Sequence, residues 1–381
     1  MAKILVAGDF CLNARMSSMT STDIEMTLCD IKSILQSVDY SLVNLECAVT
    51  NNKYTPITKC GPNLLNSSVI LEVLSKLGFN AATLANNHIA DFGHKAMLDT
   101  LKLLEEKGID YVGGGKNLID ASKVLYKQIS NKNVAFINCC EHEFTIATES
   151  TAGANPLNIP SVIRDILNAK QHADYVIVIV HGGPEHYNLP TPRMQDTYRF
   201  FIEMGADVVI NHHQHCYSGY EQYLGGYIFY GIGNFCFDSD NKRASSWNKG
   251  YMVVLDINDE INVNLIPYTQ CDFQVGVKIL ENKKEFFECI DGLSTIIMTP
   301  NLLHAEYIKF LDSKVAEYAW IYQLSHNRWL RKLNKLGLIP KKLAKEILPI
   351  FLTEERKLFI QSYFQCESHH EIMQYILQNK L

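Results

Sequence analysis

Two stretches decide the reading of this chain: Tyr175-Val-Ile-Val-Ile-Val-His181-Gly-Gly-Pro-Glu185 and Asp207-Val-Val-Ile-Asn211-His-His-Gln-His215. Each is an apolar run of strand length that stops abruptly at histidines and other polar groups. A run that is apolar at every position belongs to a strand buried on both faces, the state of parallel strands covered by other layers. The polar residues then fall just past a strand's carboxyl end, where open α/β sheets bind ligands.

The same grammar recurs upstream. Residues 3–7 form an apolar run followed by Gly8-Asp9, residues 40–45 one followed by Glu46, and residues 80–84 one followed by Ala85-Asn86-Asn87-His88 with Asp91. Residues 134–138 predict another buried strand. Between these runs lie helical patterns. Residues 23–38 place Ile24, Leu28, Ile31, Ile34, Leu35 and Val38 at helical spacing, and helices over 67–77 and 94–107 end at Gly78 and Gly108. Glycine in that place suits a left-handed C-terminal cap. Strand and helix in alternation predict a layered α/β fold. After residue 215 short strands follow one another over 221–224, 227–230, 251–257 and 261–266, with Gly225-Gly226 as a hairpin turn. These predict an antiparallel sheet added to the α/β core. From about Val277 helical spacing takes over. The expected division is an α/β domain over 1–270 and a helical region over 271–381.

Composition narrows the function. The chain has 381 residues, 47% hydrophobic and 20% charged, as globular proteins do. Its 41 acidic against 35 basic residues argue against a nucleic-acid partner, which needs a basic surface. No apolar run approaches the ~20 residues of a membrane span. The N-terminus enters a strand without the pattern of a signal peptide, so the expected compartment is the cytoplasm. The eleven cysteines form no Cys-x-x-Cys pair and are expected to stay reduced. A basic, Leu-rich stretch over 328–345 reads as an amphipathic helix pair that either packs on the core or touches a membrane surface or an anionic polymer.

The polar groups at the strand ends suggest metal chemistry. Read alone, Asp9 serves equally as a loop cap, and His88 or His181 as a hydrogen-bonded core histidine. Glu46 ends an apolar strand and must be solvated, paired or metal-bound. His212, His213 and His215 crowd four positions after one strand. Together they mix carboxylates, which suit Mg or Mn, with imidazoles, which suit Zn, Fe or Mn. One or two divalent ions fit such a set, with a carboxylate able to bridge them.

Taken in order, Gly8-Asp9, Asn44-Leu45-Glu46, Ala85 to His88 with Asp91, His181 with Gly183, Glu185 and Tyr187, His212-His213 with His215, and Tyr230 with Gly233-Asn234-Phe235 resemble the CapA family of poly-γ-glutamate capsule synthesis proteins. That family is similar in fold to the calcineurin-like metallophosphoesterases, so the resemblance implies a metallophosphoesterase-like sheet core. It implies that Asp9 and His215 hold one metal, that Glu46 bridges, and that Asn87, His181 and His213 hold the second. His88 would be the general acid, oriented by Asp91. Lys59, Glu185, His212 and Asn234 are expected near the substrate, with Lys59 equally readable as a solvated lysine and Asn234 as a structural residue that holds the turn under the site. The phosphoesterases carry a histidine where this chain has Cys11, which weakens the first position.

Three functions compete. One is a divalent-metal-dependent hydrolase of a phosphoester, or of an amide, acting on an anionic small molecule or polymer in capsule or cell-surface polymer synthesis. Another is a metal-containing polymer-binding or assembly protein without turnover. The third is a metal-free binding module.

Overall fold

A computed structural model describes residues 2–326 of the chain, with Trp329, Lys332, Leu333, Leu336 and Leu338 beyond them. Fourteen strands make its two large sheets. In chain order they are β1 (Ala2–Cys11), β2 (Tyr40–Leu45), β3 (Ala81–Thr83), β4 (Asp110–Val112), β5 (Leu125–Ile129), β6 (Lys132–Cys140) and β7 (Tyr175–His181). There follow β8 (Val208–His212), β9 (Tyr220–Tyr223), β10 (Gly226–Phe229), β11 (Asn234–Phe237), β12 (Lys249–Ile257), β13 (Ile261–Gln270) and β14 (Val277–Ile279). The helices that matter here are α1 (Ser21–Thr27), α2 (Cys29–Leu35), α3 (Val69–Leu77), α4 (Gly93–Lys107), α5 (Ile159–Ala169), α6 (Pro192–Glu203), α7 (Lys284–Met298) and α8 (Pro300–His326).

The first sheet runs β14-β13-β12-β1-β2-β3-β4, and β11 lies beside the carboxyl-terminal part of β1. The second runs β9-β10-β8-β7-β6-β5. In both, the central pairs are parallel: β1 with β2, β2 with β3, β6 with β7 and β7 with β8. The strands expected after residue 215 are present, but they extend these sheets instead of building a third. β10 joins β8 in parallel, and β12 joins β1 antiparallel.

Alternation along β1 explains the layering. Ile4 and Val6 enter a core with Leu42 from the same sheet and Phe136, Ile177, Ile179, Val208 and Ile210 from the other. Leu5 and Ala7 enter the opposite core, with Ile24, Ile31, Leu71, Leu74 and Met97 of the helices. Successive strand residues point to opposite faces, so the two sheets pack on each other and helices cover the outside of the first. Helices α5 and α6 pack on β6 and β8 of the second.

The helix expected over 23–38 is two helices that meet at Leu28. Thr27 Oγ1 donates to Ile24 O at 2.8 Å, a local bond that competes with helix continuation. Gly78 and Gly108 cap α3 and α4 in the left-handed region. The chain falls into two compact units, Met1–His304 and Ala305–Leu381; β14 and α7 belong to the first. Apart from the five residues named above, the basic stretch 328–345 lies outside the described residues. Among those described, no helix is long and apolar enough to cross a membrane.

Candidate metal centre

The strand ends of both sheets meet at one place. Gly8 lets this happen: a Cβ there would lie 1.8 Å from Gly233 O, so only glycine admits the backbone that carries Asn234 alongside Asp9. Asp9 Oδ1 accepts from Asn44 Nδ2 at 2.8 Å, and Asp9 Oδ2 faces His215 Nδ1 at 3.4 Å. Glu46 Oε1 lies 3.7 Å from His215 Nε2 and 3.8 Å from His181 Nε2. His181 Nε2 is 3.0 Å from both Asn87 Oδ1 and His213 Nδ1. All of these side chains are buried.

Two donor groups share Glu46. Asp9, Glu46 and His215 form one; Glu46, His181 and His213 form the other; within each, the donor atoms lie within 4.8 Å of one another. Asn87 Oδ1 adds an amide oxygen beside the second. Both Glu46 carboxylate oxygens and Asp9 Oδ2 are buried without a hydrogen-bond donor. Carboxylates left so are costly unless a cation or proton satisfies them. The donor set therefore fits one or two divalent ions, with oxygen and imidazole nitrogen in the mixture that such ions accept.

Electrostatics agree. Burial, then the neighbouring Asp9 carboxylate, push the Glu46 carboxyl well above the usual range. Burial also acts to raise Asp9, but the contact with His215 and the imidazoles of His212 and His181 outweigh it and hold Asp9 below its ordinary value. Burial, reinforced by His215, brings His213 down to about 4. Burial and His213 lower His181. Burial acts to lower His215 as well, yet Asp9 raises it on balance. His181 and His213 are thus held neutral, the state in which imidazole ligates a metal.

The other expected residues sort differently. His88 Nδ1 lies 2.7 Å from Asp91 Oδ2, which leaves Nε2 as its second proton-carrying atom. Lys59 does not reach outward for substrate as expected. Its side chain is buried, with Nζ 2.5 Å from Asp91 Oδ1 and 3.1 Å from His88 Nδ1. Asn234 holds the turn under the site: its Oδ1 lies 2.9 Å from His215 Nδ1, and its Nδ2 donates to His215 O and Trp247 O. Glu185 is exposed. His212 is buried in register with His181, its ring nitrogens without hydrogen bonds, and forms a third donor group with Asp9 and His181. Cys11 is a buried thiol 3.9 Å from Asn66 Oδ1. Burial and Cys47 push it far up, so the thiol is neutral in the metal-free protein.

Sequence reasoning missed Glu143 and Asn138. Asn87 Nδ2 donates to Glu143 Oε2 at 3.4 Å, and Glu143 Oε1 lies 4.0 Å from His213 Nε2. At 4.0 Å this carboxylate faces the His213 imidazole by charge rather than by a hydrogen bond. The signal was available, because Glu143 follows β6 as His181 ends β7. Asn138 Oδ1 accepts from Leu84 and Ala85 N–H and shapes the turn that presents Asn87.

Residues 3–239 match the family model described as bacterial capsule synthesis protein PGA_cap. The chain belongs to this family. Every motif of the centre lies inside the PGA_cap match. The chain is 32% identical over 222 residues to the capsule biosynthesis protein CapA of Bacillus anthracis, covering 56% of this chain and 54% of that one. It is 34% identical over 218 residues to the PGA biosynthesis protein CapA of Bacillus subtilis, covering 56% and 57%. The PGA_cap chain thus spans a little over half the length of these relatives. Among solved structures it is similar to a novel phosphatase from Mycoplasma pneumoniae, at 17% identity and a TM-score of 0.45, over 71% of this chain and 95% of that one.

Proposed function

We propose that this chain serves capsule or cell-surface polymer synthesis as a divalent-metal-dependent phosphoester hydrolase. The observation that carries the reading is Glu46. Its carboxylate is fully buried, lacks any hydrogen-bond donor, and stands between the Asp9–His215 and His181–His213 donor groups. Asp9, Glu46 and His215 would hold one ion, and Glu46, Asn87, His181 and His213 a second. Bound there, such ions supply Lewis acidity and activate water for attack on phosphorus.

The chain's own residues prepare the rest. Asn44 orients Asp9 through Oδ1, and Asn234 orients His215. His88 follows the ligand Asn87 in sequence, and both act on the Glu143 carboxylate: Asn87 by a hydrogen bond and His88 through its charge. Asp91 accepts at His88 Nδ1 and fixes the ring, leaving Nε2–H to protonate the leaving oxygen. Lys59 is already paired with Asp91, so attraction for an anionic substrate would have to come from the ions that Asp9, Glu46, His181, His213 and His215 would hold.

One observation favours a second reading, a metal-containing assembly or polymer-binding protein. The neutral Cys11 thiol stands where a further imidazole would strengthen the first position. Elemental analysis of the purified protein, beside a screen of phosphoesters with added Mn, Fe, Zn or Mg, tests both. Metal-dependent turnover that is lost in His88→Ala supports the hydrolase. Full metal occupancy without turnover on any phosphoester supports the assembly protein. No bound metal overturns both.

A further inference from the structure

Away from the metal centre, three sulfur atoms meet in the core. Met16 Sδ lies 3.4 Å from Cys236 Sγ and 3.5 Å from Cys271 Sγ, and the two thiols are 3.8 Å apart. The three residues are 0%, 0% and 1% exposed. They come from segments far apart in sequence: the short turn Ala14–Met16, strand β11, and the residue after β13.

One side chain ties these segments together. Arg15 donates from Nε to Asp238 Oδ2 and from Nη2 to Asp238 Oδ1, each at 2.8 Å. The same guanidinium donates to the carbonyls of Cys271, Asp272 and Phe273 at 3.0, 2.8 and 3.1 Å. Arg15 thereby fixes the residue before Met16, the end of the segment that carries Cys236, and the turn that carries Cys271. Cys271 itself is held in the left-handed region at φ 41°, with its N–H donating to Gly276 O at 2.8 Å.

We propose that Met16, Cys236 and Cys271 form a trigonal site for one soft monovalent metal ion, Cu(I). A point equidistant from the three sulfurs lies ~2.1 Å from each, against ~2.3 Å for a typical metal–sulfur bond. The triangle has to open by only a few tenths of an ångström. Two thiols and a thioether are the donors that select Cu(I), whereas zinc demands a fourth ligand. Binding deprotonates both thiols and releases two protons to solvent, with no change of oxidation state. The bound unit carries one net negative charge, and the Arg15 guanidinium stands beside it. The hydrogen bond between the two thiols lowers Cys271 and, with burial, pushes Cys236 well above the usual thiol range, so the metal ion itself has to displace the Cys236 proton. Entry is short, because Cys271 opens a turn whose tip, Phe273, is 76% exposed.

The test is anaerobic titration of the reduced, full-length protein with Cu(I) against a colorimetric Cu(I) chelator, followed by X-ray absorption. The expected result is one equivalent withdrawn per chain and a shell of three sulfurs at ~2.3 Å, which separates this site from the imidazoles of the metal centre. Cys236→Ser and Cys271→Ser should each abolish that shell. Met16→Leu keeps the volume and should weaken binding at least tenfold, with copper-free thermal stability recorded for each variant to exclude misfolding. Cys139→Ser, at a buried thiol elsewhere, should change nothing. Uptake that is absent, or equal in wild type and in the Met16 and cysteine variants, overturns the proposal. So does a Cys236–Cys271 disulfide in aerated protein whose reduced form takes up no copper, which would make the pair a redox couple.

Discussion

Replacing Lys59 by methionine decides whether this lysine pins the loop over the centre or reaches for substrate. Its ammonium is 2.5 Å from Asp91 Oδ1, with side-chain exposures of 2% and 0%. The other Asp91 oxygen already accepts from His88 Nδ1 and from Leu64 N–H at 2.8 Å. Lys59→Met therefore leaves a buried carboxylate without its counter-charge. Breaking a buried pair from one side costs about 3–5 kcal/mol. Methionine restores most of the apolar stem packing, so the lower half of that range is expected. At about 2 °C per kcal/mol for a large domain, Tm should fall by roughly 6–8 °C. In a double-mutant cycle, Lys59→Met with Asp91→Asn removes both charges and should recover about half of the loss. Thermal unfolding of the four proteins, beside steady-state kinetics, measures this. A pinning lysine lowers Tm and kcat and leaves KM unchanged. A Lys59→Met protein with wild-type Tm and a raised KM for anionic substrates would refute the pinning role.

Three further outcomes are expected. Glu46→Gln should keep the fold and lose at least one equivalent of metal by elemental analysis, because the shared carboxylate is gone while a neutral group of the same shape remains. His88→Ala should keep its metal but lose roughly 10²–10⁴ in turnover, with an activated aryl phosphate nearly spared, since a good leaving group needs no proton. Metal-free protein should lose stability as pH rises from about 4.3, the unfolded Glu value, toward the raised Glu46 value. The folded state holds the extra proton there; metal uptake must displace it, so affinity should rise over the same window, as calorimetry in buffers of different ionisation enthalpy will show.

The fold was legible where one face of an element carried an unbroken signal. The apolar runs before His181 and Asn211 read as buried strands, and they are β7 and β8, paired in parallel. Residues 23–38 deceived because the spacing stays helical through Leu28, while Leu28 itself leaves the helical region and divides the run into α1 and α2, a local backbone turn that periodicity does not register. The antiparallel strands after 215 were legible as strands but not as neighbours: which sheet each edge joins depends on contacts across hundreds of residues, such as Val6 with Val253. In the centre, residue types at strand ends foretold what converges. They did not foretell direction. Lys59 is where the motifs put it, yet it turns inward to Asp91, because a buried carboxylate needs a partner, while Asn234 takes the structural place under His215 that its glycine-flanked motif suggested.

The loop after β8 shows why these ligands should also govern stability. His213 and His215 both lie in the left-handed region, at φ 85° and 55°, where a side chain with a Cβ is strained. Such residues persist, at about 1–3 kcal/mol each, only where the surroundings over-determine them. Here the surroundings are themselves unfavourable: Asp9 and Glu46 bury two carboxyl groups side by side, and no protein group donates to Glu46. Neither strain nor burial favours the polypeptide alone. A divalent cation held there would offset these costs, since it would satisfy the orphan oxygens and engage the two imidazoles in the directions that the strained backbone gives them. The same strain that weakens the metal-free loop therefore pre-organises the ligands, and the binding free energy appears as folding free energy of the strand ends.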